Sequence, residues 1–223
     1  MVKQRTKQEK NKSMIVKTVE QQSTRRPRPN LRASLTDNTS IITGNQYLAD
    51  IKVTSTNTLG YGKLTLAPGN NAGFASAPVE GIAKQFQNGL YLPGTRLDYY
   101  PSVGLTTQGN VAIAYIDSPT LMKAFHSLSA GQQLAFIQSI GNVKTGPIWQ
   151  PMTFTMPQST RRKDYVVDPS ISLSDTNELD LAVQGMYLWV AYGLVTQTSD
   201  LTFGQMVLHT RMRCRELTSA TAA

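Results

Sequence analysis

Apolar and polar residues alternate with a period of two in eight separate runs, each bounded by turn residues. Period two is the signature of a strand with one face buried, and eight such runs at short intervals exclude a helical bundle. The runs fall at 47–54, 61–67, 94–101, 109–117, 147–156, 163–168, 184–195 and 203–215. In the first, Tyr47, Ala49, Ile51 and Val53 share one face, and Leu48, Asp50, Lys52 and Thr54 the other. In the fifth, Ile148, Met152, Phe154 and Met156 share a face. The run 184–195 (QGMYLWVAYGLV) is apolar on both faces and predicts a central, buried strand. In the last, Met206, Leu208, Met212 and Cys214 alternate with His209, Arg211, Arg213 and Arg215.

Two stretches break the alternation. In 76–89, Val79, Ile82, Ala83 and Phe86 stand at helical spacing, with Gly89 as the stop. In 118–141, Ser118 is placed to cap a helix with Pro119 at its first position. Leu121, Met122, Phe125 and Leu128 form the apolar stripe of that helix, and Ser129 opens a second one carrying Leu134, Ile137 and Ile140, closed by Gly141. The predicted fold class is therefore all-β: an eight-stranded antiparallel jelly-roll sandwich with two short helical insertions.

Charge is distributed in an unusual way. Residues 1–32 hold 10 Lys and Arg against 2 acids, while residues 33–223 hold 12 of each, so the whole excess of +8 lies at the N-terminus. Those cations are Lys3, Arg5, Lys7, Lys10, Lys12, Lys17, Arg25, Arg26, Arg28 and Arg32. Pro27 and Pro29 rule out a helix around the arginines and favour an extended chain. With few apolar residues to offset ordering entropy, the segment is expected to be disordered when free. A basic arm on an electrically balanced body is the composition of a polyphosphate binder, and ten cations meeting a nucleic acid would gain by counterion release. The domain reading is thus a basic RNA-binding arm and polar connector at 1–45, a jelly roll at 46–217 and a short tail at 218–223.

Other classes find little support. No apolar run approaches the length of a membrane span, and the N-terminus lacks the apolar core of a secretory signal. Cys214 is the only cysteine, and two histidines in unlike elements, His126 and His209, do not make the His/His/carboxylate set of a jelly-roll oxygenase or isomerase. The residues point to no small-molecule substrate and no enzyme. Gly60 and Gly62 precede no phosphate-loop lysine.

The stretch LDYYPSVGLTTQGNVAIAYIDSP (97–119) resembles the signature of small icosahedral plant RNA virus coat proteins of the tombusvirus and sobemovirus type. Its elements are Tyr99–Pro101, the turn Thr106–Thr107–Gly109, the strand Val111–Ile116 and Asp117. The stretch LDLAVQGMYLWVAYG (179–193) resembles the family's glycine-led strand through Gly185, Leu188, Val190, Tyr192 and Gly193, and 201–217 resembles its last shell strand. The likeness covers residues 46–217. It implies a shell domain whose copies tile a closed icosahedral capsid, with the basic arm turned inward on the genome. On that resemblance the protein's partners are further copies of itself and single-stranded RNA. Its place is the virion, and the host cytoplasm during assembly. A chain ending soon after the last strand implies no projecting C-terminal domain.

The resemblance also implies calcium between subunits. Asp117 matches the family's first ligand, but the following SPTLMK holds no acid, so Asp164, Asp168, Asp175 or Asp180 of a neighbouring copy would have to complete the six to eight oxygens that calcium takes. Arg161, Arg162 and Lys163, and the column Arg211, Arg213 and Arg215, are expected to contact RNA or another subunit. Like charges in a row on one strand face need acids or phosphate beside them. The competing reading is a cellular RNA-binding or RNA-chaperone protein with a β-sandwich domain.

Overall fold

A strand that is apolar on both faces needs a layer on each side, and the chain supplies a second sheet on one side and helices on the other. The computed structural model describes residues 32–36, 39–53, 59–69, 78–158, 163–167, 176–195 and 200–217. Its strands are β1 (Arg32–Thr36), β2 (Thr39–Val53), β3 (Gly60–Leu66), β4 (Phe86–Tyr91), β5 (Arg96–Pro101), β6 (Asn110–Ile116), β7 (Lys144–Pro147), β8 (Met152–Thr155), β9 (Tyr165–Val166), β10 (Gly185–Tyr192) and β11 (Leu201–Leu217). The helices are α1 (Pro78–Ala83), α2 (Pro119–His126), α3 (Ala130–Ser139) and α4 (Thr176–Ala182).

All strand pairs are antiparallel. The smaller sheet has the order β3-β10-β6-β7. The larger one is built on β11, which pairs with β2 along one edge and with β5 and then β4 along the other; β1 extends it beyond β2, β8 beyond β5 and β9 beyond β4. This is the jelly-roll sandwich that the alternation predicts.

Two apolar clusters follow from the pleat. Between the sheets lie Ile42, Leu97, Tyr99, Phe154, Met206, Leu208, Met212 and Cys214 from the larger sheet, against Leu64, Leu66, Val111, Ile113, Tyr115, Tyr187 and Trp189 from the smaller. The opposite faces of β6 and β10 carry Ala112, Ala114, Ile116, Met186, Leu188 and Val190, packed on Met122 and Phe125 of α2, Ile137 of α3 and Leu179 and Ala182 of α4. The small Ala112 and Ala114 let the helices sit close to the strand. Helix α2 starts at the Ser118–Pro119 step as expected, and in α3 the Gln132 side chain accepts from both the N–H (3.0 Å) and the hydroxyl (2.9 Å) of Ser129.

The structure corrects the sequence reading in five places. In the first run Tyr47 is exposed while Ile51 and Val53 are buried, because a register irregularity opposite Met206 and Val207 changes the inward face of β2. The polar connector of 33–45 is strand instead: β1 and the first part of β2 occupy it, so the expected boundary at 45/46 falls inside β2. The inward positions there are Ser40, Ile42, Gly44 and Gln46, and a single large apolar residue among them hides the alternation. The helix expected over 76–89 stops at Ala83, and Gly89 lies within β4. A Cβ at Gly89 would come 2.5 Å from Pro68 Cβ, so the glycine serves close packing, not a helix stop. The run 147–156 is not one strand: β7 ends at Pro147 after pairing with β6 in one sheet, the chain turns through Ile148–Pro151, and only β8 lies in the rest of the run, paired with β5 in the other sheet. Helix α4 was not expected; Leu179, Ala182 and Val183 stand at helical spacing and are buried.

At Gly204 the neighbouring strand β5 leaves no room for a side chain. A Cβ there would meet Tyr100 O and Tyr99 Cε2 at 2.5 Å, next to an irregularity in the β11–β2 register. Gly204→Ala is expected to destabilise the unassembled chain by about 1–3 kcal/mol, the cost of overpacking a tight site. At Gly131 in α3 an added Cβ meets nothing within 4 Å, and Gly131→Ala should stabilise by about 0.5–1 kcal/mol through helix propensity. Denaturant unfolding midpoints of the two variants test the pair of signs.

Candidate functional site

The sandwich has two unlike outer faces. The outer side of the smaller sheet is covered by α2, α3 and α4. On the larger sheet, Val79 and Ala83 of α1 turn into the cluster between the sheets, and among the described residues no helix packs across the outer face. Because Met212 and Cys214 point inward at 0% exposure, their alternates on β11 point out: His209, Arg211, Arg213 and Arg215. Arg96, Asp98 and Tyr100 of β5 flank them, the Cα partners being Arg96–His209, Asp98–Val207 and Tyr100–Gln205. Tyr47 and Tyr100 are exposed aromatics of the same sheet.

The expected column of like charges is paired within the chain. Arg213 Nη2 lies 2.8 Å from Asp164 Oδ1, and Arg215 Nη1 lies 3.0 Å from Asp164 Oδ2. Lys163 Nζ lies 3.0 Å from Asp180 Oδ2. The structure thus joins Lys163, Arg213 and Arg215 to acids of their own chain, while Arg211 stays exposed. Arg161 and Arg162 lie outside the described residues, as do the arm cations up to Arg28. Arg32 opens β1 with Thr43 as its Cα partner, and Thr43 in turn pairs with Arg211.

Asp98 is a second polar centre, which the sequence reading missed. Its Oδ2 lies 2.7 Å from His209 Nε2 and 3.2 Å from Arg96 Nε, and it accepts from the Tyr100 hydroxyl at 3.3 Å. Burial alone would raise its carboxyl. Hydrogen bonds from His209 and Thr153 and the charges of His209 and Arg96 outweigh that and hold it below its ordinary value. Outward charges at positions 96, 98 and 209 are visible in sequence, but their meeting depends on β5–β11 register.

His126 has a polar partner on β3. Its Nδ1 lies 2.7 Å from Lys63 Nζ beside a groove of about 520 Å³ between β2 and β3, floored by Trp189. Burial and the neighbouring lysine lower the His126 pKa. Cys214 is buried, and burial with the nearby Glu80 pushes its thiol up to about 12, so it is an unreactive packing residue.

Asp117 stands half-buried at the end of β6. Among the described residues no group of three or more His, Cys, Asp or Glu could hold a metal. Asp164 and Asp180 are engaged by cations, and Asp168 and Asp175 lie outside the described residues. Among the described residues of one chain the donor set does not fit calcium.

An antiparallel jelly roll with one face sheathed by helices and one open is the fold class this geometry defines. Viral structures are among the solved ones that share it. The chain is similar to one in the structure of cucumber necrosis virus, with a TM-score of 0.67, 18% identity and coverage of 86% of this chain and 56% of that one. Against tobacco necrosis virus the TM-score is 0.68 at 10% identity, covering 85% and 88%. Against mud crab tombus-like virus it is 0.63 at 13% identity, covering 92% and 98%. This chain therefore spans a little over half of the cucumber necrosis virus chain. Plant and crab viruses both share the fold, so the fold does not single out a plant host. No protein-family model and no curated protein matches the sequence.

Asp98 gives a pH prediction. Its folded pKa is depressed, so the stability it contributes is present above the unfolded carboxylate pKa and is lost as pH falls through the folded value. Unfolding midpoints of the chain should drop below about pH 4, and Asp98→Asn should flatten that part of the curve while lowering stability at neutral pH. An acid limb identical in the two proteins would show that Asp98 is not held by its neighbours.

Proposed function

We propose that the chain is a viral capsid protein that assembles with copies of itself into an icosahedral shell and packages single-stranded RNA through its basic N-terminal arm. The observation that carries the reading is the pairing of a fold shared with virus structures and an excess charge confined to residues 1–32. The arm cations, Lys3, Arg5, Lys7, Lys10, Lys12, Lys17, Arg25, Arg26, Arg28 and Arg32, meet phosphates without reading sequence. Lysines supply point charges, while the arginine cluster forks onto phosphates and stacks on unpaired bases. The jelly roll is the tile, neutral on average, so copies approach one another without net repulsion. Arg161, Arg162, Lys163, Arg211, Arg213 and Arg215 add contacts to RNA or to a neighbouring subunit. The protein acts in the virion and assembles in the host cytoplasm. Calcium at Asp117 would require carboxylates from a neighbour.

Negative-stain microscopy of the expressed full chain with RNA should show uniform closed particles. A chain that stays as single molecules at every salt and pH tried overturns the reading and favours a cellular RNA-binding protein. For the unassembled chain, full engagement of the arm's net eight charges gives a slope of log affinity against log salt of about −5 to −6 on single-stranded RNA. Replacing Arg25, Arg26 and Arg28 by Ala should reduce its magnitude by about 2.

A further inference from the structure

We infer that Arg213 and Arg215 form a phosphodiester-binding site that the chain's own Asp164 occupies in the absence of RNA, and that single-stranded RNA binds there by displacing that carboxylate. The inference rests on the proposed packaging of RNA and adds to it a site on the folded body.

The geometry is that of an anion seat. The two carboxylate oxygens of Asp164 are divided between two guanidiniums, at 2.8 Å from Arg213 and 3.0 Å from Arg215. A phosphodiester presents the same chemistry, a single negative charge shared by two oxygens, and guanidinium accepts either. Two cations against one anion leave an excess positive charge at the seat. Arg213 Nε is also buried with no hydrogen-bond partner among the described residues, a donor that Asp164 does not reach. The other acid at this end of β11, Glu216, is turned to Asn88, with Oε2 3.0 Å from Nδ2.

The seat is reachable and its occupant is removable. The side chains of Arg213, Arg215 and Asp164 keep 28%, 45% and 22% of their surface exposed. The backbone carrying Asp164 is fixed by other means: Tyr165 is fully buried, and the Val167 N–H donates to Gln87 O at 2.8 Å. The carboxylate can therefore swing away without β9 leaving β4. Exposed Arg211 continues the column. Alternate residues of a strand lie about 6.7 Å apart, so an extended RNA backbone can follow the three arginines phosphate by phosphate.

The test is a double-mutant cycle on the unassembled full chain, with an unstructured oligouridine as probe and affinity measured across a salt series. Asp164→Asn, which keeps the side-chain shape, should tighten binding about threefold to tenfold near 0.15 M salt and steepen the salt slope by about 0.7 to 1.4, one or two phosphates. Arg213→Ala with Arg215→Ala should weaken binding by a similar factor, and Asp164→Asn should then have no further effect. Hydrogen-exchange protection at Tyr165 should be unchanged in Asp164→Asn. The inference is overturned if Asp164→Asn leaves affinity unchanged or weakens it, or if its effect persists without the two arginines. If the seat fails in this way while replacing Arg25, Arg26 and Arg28 still costs affinity, packaging by the arm stands. If no form of the chain binds the probe at any salt, both readings fall together.

Discussion

The register of β11 is the constraint on which the rest of the structure depends. This strand of 17 residues holds β2 along one side and both β5 and β4 along the other, so the larger sheet has no other spine. Its register sends Met206, Leu208, Met212 and Cys214 into the sandwich and His209, Arg211, Arg213 and Arg215 to the open face. A slip of one residue would exchange the two sets and bury a row of guanidiniums, at a cost far beyond what the sheet hydrogen bonds could offset. The same alternation therefore fixes the core and lays out the cations. Core packing and surface charge are specified by one strand and cannot vary independently.

How much of this is legible in sequence depends on what each inward position carries. β10 and β11 are plain, because nearly all of their inward positions are large and apolar. α2 is plain because Ser118 and Pro119 mark its start. The first part of β2 is hidden because Ser40, Gly44 and Gln46 are buried without being apolar. β4 is hidden because a glycine packed on Pro68 looks like a helix stop, and α4 because its apolar residues merge with the apolar run of β10. The arginine column could be read from spacing. Its partner Asp164 could not, since 49 residues separate it from Arg213 and only the pairing of β9 with β4 brings it across.

A neutral body is not a body without electrostatic structure. Residues 33–223 carry equal numbers of acids and bases, yet several of the described acids are engaged by particular cations. Asp98 draws in Arg96 and His209, Asp164 takes Arg213 and Arg215, and Asp180 takes Lys163. Each of the first two acids faces two basic groups, so the open face of the larger sheet is locally cationic although the domain as a whole is balanced. Partial burial makes these groups less sensitive to salt than fully solvated charges.

The position of β1 brings these two kinds of charge together. Arg32, the last cation of the arm, begins β1, and β1 is separated from β11 only by β2. Two strand spacings amount to about 10 Å. The Debye length at physiological ionic strength is about 8 Å, so the point where the arm leaves the sandwich and the exposed Arg211 lie near one screening distance of each other. Arg32 therefore enters the sandwich two strands from the exposed Arg211, while the helix-covered face on the far side of the sandwich carries none of this charge column. The two faces of the domain thus differ in charge as well as in cover, and the asymmetry follows from which sheet the helices pack on and which strand Arg32 opens.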